Sequence, residues 1–150
     1  MPDTLPPDPL FAVFNEIGIL AQLSGAMFEA RLPPGFLVAH FSVLNHLIRV
    51  GDGPTPLALS RAFQVPKTTM THTLAVLQRH GLILFGPNPR DGRSKCVHIT
   101  EAGRRFQSDA IAALAPDLAW LRASFSEDRI LSVLPVLADL RATLDAMREG

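Results

Sequence analysis

Three groups of residues in this chain have the types and spacing for chemistry. Five histidines stand at positions 40, 46, 72, 80 and 98, with a single cysteine at 96. A run rich in hydroxyls, Lys67-Thr68-Thr69-Met70-Thr71-His72, lies near the middle. A basic turn segment, Arg90-Asp91-Gly92-Arg93-Ser94-Lys95, follows it. The histidines lack ligand spacing. His40 and His46 are six apart, whereas two ligands on one helical face sit three or four apart, so no metal is expected. There is no nucleophile elbow, phosphate loop or pair of catalytic carboxylates, so neither an enzyme nor a cofactor is expected. One cysteine rules out an intramolecular disulfide framework. Cys96 lies in an apolar strand-like run and is read as a packing residue rather than a redox centre.

The other two groups suit a polyanion. A short amphipathic helix carrying small hydroxyls, followed at once by a basic hairpin, can place a helix in one groove of DNA and a loop in the next. The charge distribution agrees. The net charge is zero, but between Arg49 and Arg105 nine Lys/Arg face three acids, a balance of +6 that the flanks offset with −6. A basic middle and acidic ends describe a polyanion-binding face on a body kept clear of the polyanion.

These groups need elements to hold them. Asp8-Pro9 caps and opens a first helix running to about Arg31, where Leu32-Pro33-Pro34-Gly35 stops it. Its apolar positions (Leu10, Phe14, Ile17, Leu20, Ala21, Leu23, Met27, Phe28) form a stripe broader than one partner helix needs. A second helix covers about 36–50, with Leu37, Phe41, Leu44, Leu47 and Ile48 as packing residues, and Gly51-Asp52-Gly53 ends it. Thr55-Pro56 opens a third helix over about 56–63. A fourth follows over about 66–80, after a connection short enough for a helix-turn-helix. Val65, Met70, Leu74 and Leu77 form its buried face, leaving Lys67, Thr68, Thr71 and His72 on the others. Gly81 is a left-handed cap. Leu82–Phe85 and Lys95–Ile99 pair as a hairpin around a Pro/Gly-rich tip. Thr100 caps a fifth helix to about Phe125, kinked at Pro116. Ser126 caps a sixth over about 127–149, kinked at Pro135. The fold class is therefore mainly α with a small β-hairpin wing (α+β).

Hydrophobic residues make up 47% of the chain and charged residues only 19%. That is rich for a lone soluble body, so a second copy is expected to cover part of the first and last helices. No apolar run approaches the ~18 residues of a membrane helix. The segment Met1–Pro9 has neither a basic stretch nor a cleavage site, so no signal peptide is expected. A cytoplasmic protein with no membrane partner is expected.

The order of elements resembles the MarR family of winged helix-turn-helix transcription regulators, over about residues 9–148. Specific residues carry the likeness: Thr69-Met70-Thr71 before Leu74 and Leu77; Gly81-Leu82-Ile83 closing the fourth helix; Asp91-Gly92-Arg93 in the wing; Ile99-Thr100-Glu101-Ala102-Gly103 opening the fifth helix. The resemblance implies a homodimer built from helices at about 9–32 and 101–149, around a winged-helix part at about 36–100. It implies recognition helices in successive major grooves of a pseudo-palindromic double-stranded operator. It implies that Arg93 enters the minor groove, held by Asp91. The DNA-binding set expected on these grounds is Lys67, Thr68, Thr69, Thr71, His72, Arg90, Asp91, Arg93 and Lys95. A repressor released by a small aromatic or phenolic effector is expected, with His40 and Leu44 as effector contacts. The alternative is a winged-helix interaction or sensor module without a DNA target. The chain departs from the family at Pro66-Lys67, where a capping Ser or Asp is common, and at His72, where Arg is frequent.

Overall fold

The computed structural model describes residues 8–149, so the reading of Met1–Pro9 as no signal peptide lies almost wholly outside it. Among the described residues, seven helices and one hairpin are formed: α1 Pro9–Glu29, α2 Val38–Arg49, α3 Pro56–Phe63, α4 Lys67–Arg79, β1 Ile83–Pro87, β2 Lys95–Ile99, α5 Glu101–Ala113, α6 Ala115–Ser124 and α7 Glu127–Glu149. The chain divides into two compact units, one ending at Ala113 and one beginning at Leu114.

The caps expected at the helix starts are formed. The Leu10 N–H donates to Asp8 Oδ1 at 2.9 Å, and the Ala58 N–H donates to Thr55 Oγ1 at 3.1 Å. Each cap satisfies an N–H that the first turn leaves without a partner. Helix α2 starts differently, with two side chains capping it. The Val38 N–H donates to Glu29 at 2.8 Å, and the Leu37 N–H donates to His40 Nδ1 at 2.8 Å.

The core of the first unit sits among α2, α3, α4 and the hairpin. Val43, Leu44, Leu47, Leu59, Met70, Leu74, Leu77, Leu82, Ile83 and Val97 form it, with Phe36, Phe63, Val65 and Phe106 packed against it. Two residues expected to pack from α2 do not: Leu37 and Ile48 are exposed, and Val43 takes the inward position instead. Leu37 precedes the first helical turn, so the helical period does not reach it.

The hairpin is antiparallel, with Ile83 opposite Ile99 and Pro87 opposite Lys95. The loop before α3 runs along the other edge of β2. The Gly53 N–H donates to Val97 O at 3.0 Å, and the Val97 N–H donates to Pro54 O at 2.8 Å. Asp52 fastens this edge by accepting the Ile99 N–H at 2.8 Å and meeting His98 Nδ1 at 3.3 Å. Beyond its role in ending α2, this loop therefore holds the wing.

Two expectations are corrected. The helix expected from 101 to 125 is two helices rather than one kinked helix, because the chain breaks at Leu114 and restarts with Pro116 in its first turn. A proline has no N–H to continue the ladder but fits the first turn, where that N–H has no partner. Pro135, by contrast, lies inside α7, which continues through it. The second correction concerns α1. Its best 18-residue window has a mean hydropathy of 1.4, long and apolar enough to cross a membrane by length and composition. Asn15, Glu16 and Gln22 interrupt the apolar run without lowering that average enough.

Candidate nucleic-acid interface

Helix α4 is held by one face and open on the rest. Met70, Thr73, Leu74 and Leu77 are buried, and Thr73 stays satisfied by donating to Thr69 O at 3.1 Å. Lys67, Thr68, Thr69, Thr71 and His72 are all exposed. Lys67, Thr68, Thr71 and His72 line a shallow depression together with Ala75. Thr68 and His72 also line the adjoining cleft toward α2, which Thr69 shares with them. Ala75 was not among the expected residues, although it stands four after Thr71, a spacing that shares a helical face. The Thr71 hydroxyl donates to Lys67 O at 2.9 Å, which leaves its methyl group as the free end.

The wing tip is ordered by its own polar side chains. Asn88 Nδ2 donates to Ser94 Oγ at 2.7 Å, and the Arg90 N–H donates to Asn88 Oδ1 at 3.0 Å. Asp91 Oδ1 accepts the Arg93 N–H at 3.0 Å and lies 3.5 Å from Arg93 Nε. The Arg93 side chain is 94% exposed, so this one carboxylate orients a guanidinium that is otherwise in solvent. Arg90 and Lys95 are also exposed. Asn88 and Ser94 were not singled out from sequence. Their signal is the Asx-turn chemistry of Asn-Pro and Asp-Gly segments.

The residues expected to meet an effector are separated. His40 lines the cleft of about 650 Å³ between the start of α2 and α4, with Phe36, Leu37, Thr69, His72 and Val76. Leu44 is fully buried in the core and does not line it. Phe36 links the cleft to the core, with ring centroids 5.6 Å from His40, 4.8 Å from His80 and 4.7 Å from Phe106. Burial lowers the His40 pKa below the ordinary histidine value. The nearby His72 and His80 lower it further, and Glu29 opposes them. An unprotonated Nδ1 is also what the Leu37 N–H requires as its acceptor. Among the described residues, no cluster of three His, Cys, Asp or Glu could hold a metal ion. Cys96 is buried.

A helix-turn-helix whose second helix exposes a polar stripe, followed by a two-stranded hairpin with a basic tip, defines a winged helix-turn-helix protein. Residues 35–94 match the model of the MarR family. The solved structures it resembles include the transcriptional regulator BldR from Sulfolobus solfataricus, at 20% identity and a TM-score of 0.74, covering 93% of this chain and 96% of that one. A MarR family transcription regulator matches at 26% identity and a TM-score of 0.70, covering 94% of each chain. A mutant MarR from E. coli complexed with operator DNA matches at 23% and 0.68, covering 87% and 94%. No curated protein sequence matches the chain. The chain as a whole has the fold of MarR-family transcription regulators, which are DNA-binding proteins rather than enzymes.

Proposed function

We propose that the protein is a cytoplasmic, homodimeric, sequence-specific DNA-binding repressor whose affinity for a pseudo-palindromic operator is set by a small aromatic or phenolic effector. The observation that carries this reading is the pairing of two exposed surfaces. One is the stripe of Lys67, Thr68, Thr71 and His72 on a helix locked into the core by its opposite face. The other is the wing tip, where Asp91 orients Arg93. A narrow minor groove concentrates negative potential and favours arginine. Fixing the guanidinium beforehand lowers the ordering cost of inserting it. Lys67, Arg90 and Lys95 supply phosphate contacts around these two points.

Dimerisation is supported by the apolar surface that each unit leaves open. On α1, Leu10, Phe11, Leu20 and Leu23 are each more than half exposed. On α7, Ile130, Leu131, Leu134 and Val136 are at least half exposed. Surface of this extent on a monomer is unusual, and two copies cover it symmetrically. The operator half-sites would then lie about one turn, ~10 bp, apart.

The effector reading rests on the cleft at His40. Thr69 and His72 of α4 form one wall, so an occupant there bears directly on the recognition helix. The mixed lining of aromatic, methyl and imidazole groups suits an aromatic ring with one polar substituent. Duplex DNA drawn from the region upstream of the gene provides the test, titrated at increasing salt. The expected result is an affinity that falls steeply and linearly on logarithmic axes, as phosphate-led binding requires. Binding indifferent to salt rules the reading out.

A further inference from the structure

We propose that α4 reads A·T base pairs through the C5-methyl groups of thymine, with Thr71 and Ala75 as the contacts and Thr68 beside them. The inference rests on the DNA-binding reading above and names what that surface recognises. In the major groove, guanine is read by bidentate Arg or Lys, and adenine by bidentate Asn or Gln. Thymine offers a methyl group that only an apolar contact can recognise. Of these four residue types only Lys67 lies in the depression on α4; the rest of its lining is Thr68, Thr71, His72 and Ala75.

The chemistry of each lining residue narrows the reading further. Thr71 is a hydroxyl residue by name, but its O–H is directed at Lys67 O, 2.9 Å away. What remains free is its methyl group. Ala75, exposed one turn later, presents only a methyl group. Lys67 is the first residue of the helix, the position at which backbone phosphates approach a helix N-terminus. Gln78 and Arg79 continue the exposed side in the last turn. They lie about 10 Å beyond Thr71 at ~1.5 Å per residue, toward the end that leaves the groove. The base-facing part of the helix thus offers the methyl groups of Thr71 and Ala75, with Lys67 at its start and His72 beside them.

The experiment uses the full chain and a duplex pool with a randomised core of about 20 base pairs, room for two half-sites one turn apart. The recovered duplex is then resynthesised with deoxyuridine replacing thymidine in the half-sites, which removes the methyl groups and leaves base pairing and charge unchanged. A·T-rich half-sites are expected. Affinity should fall about fourfold for each contacted methyl removed, the effect of losing one buried methyl-sized group. Thr71→Ser keeps the hydroxyl and its bond to Lys67 O but lacks the methyl. This variant should bind the thymidine duplex less tightly and lose sensitivity to deoxyuridine at one position per half-site, with an unchanged salt slope. Salt-dependent binding with no deoxyuridine effect, or an effect that Thr71→Ser leaves intact, overturns the inference while DNA binding stands. No salt-dependent binding to any duplex overturns both.

Discussion

At the scale of single residues, charge and geometry give opposite signs for Asp91. A carboxylate beside phosphates should repel, so removing it should tighten DNA binding. Its Oδ1, however, accepts the Arg93 N–H and lies against Nε of the same residue. Ordering a free arginine on binding costs about 0.5–1.5 kcal/mol, so Asp91→Ala should weaken binding by about two- to tenfold for each wing of the dimer, despite the gain in net positive charge. Arg93→Ala should weaken it more and reduce the salt slope by about 2, one for each wing of the dimer. Fluorescence anisotropy across a salt series separates the two effects; tighter binding by Asp91→Ala would mean that the ordering role is wrong. His40 makes a different prediction. Burial first, then His72 and His80, lowers its folded pKa below the unfolded value, against the opposing pull of Glu29. A group with a lowered folded pKa binds its proton more readily when the chain is unfolded. The stability it supports is therefore complete above the ordinary histidine value of ~6.5 and is lost as the pH falls below it. His46, lowered by burial and then by Arg49, has the same sign. The urea midpoint should drop between about pH 7.5 and 5.5, and drop less in His40→Gln. An equal drop in both proteins would remove His40 from the account.

At the scale of elements, the join between the hairpin and α5 shows how a short motif acts. Thr100 Oγ1 donates to Gly81 O at 2.7 Å and accepts the Gly103 N–H at 3.0 Å. The Thr100 N–H donates to Leu82 O at 3.1 Å. A Cβ on Gly103 would collide with Leu82 O and crowd Ile99 Cγ1, so the glycine is required by close approach of backbone rather than by its own dihedral angles. Gly103→Ala should therefore destabilise the first unit by about 1–3 kcal/mol, the usual penalty of overpacking, and a urea titration checks it. Wild-type stability in that variant would show that α5 can shift away without cost. The same join shows what the sequence makes legible. Caps at Asp8, Thr55, Thr100 and Ser126 and the left-handed Gly81 are local chemistry, so helix starts and the hairpin strand Lys95–Ile99 are recoverable from residue types. The buried face of α4 follows from its period. The break at Leu114 is harder to read, because a proline within an apolar stretch permits either a kink or a restart. The surroundings of the exposed set are harder still. Ala75 joins the depression by the helical period, four residues after Thr71, but the cleft that Thr69 and His72 line exists because of where α2 lies, a tertiary fact that the period does not contain. Asp52 was hidden for the same reason: its partners, Ile99 and His98, are 47 and 46 residues away.

At the scale of the whole molecule, the exposed apolar helices and the DNA reading constrain one another. Helix α1 has no fully buried residue and is apolar enough for a bilayer by composition, yet Glu16 and Gln22 lie within it. A helix shared between two copies has room for such residues at its rim, whereas a lipid-facing helix must bury them in hydrocarbon. The dimer reading therefore expects no partition into lipid vesicles and a two-copy mass by sedimentation equilibrium. Leu20 is 58% exposed and Leu23 is 65% exposed, so the double variant Leu20→Asp/Leu23→Asp has little to disturb within its own unit. Placing two carboxylates in a symmetric interface puts four unpaired charges into it, and the copies should separate. Operator binding should then fall by about a hundredfold or more, because the second half-site no longer benefits from linkage to the first. Each isolated copy should keep its helical content and its steep salt dependence, since α4 and the wing belong to one unit. A double variant that remains dimeric would move the interface away from α1. One that becomes monomeric yet binds as tightly as the wild type would mean that a single winged helix accounts for the whole affinity.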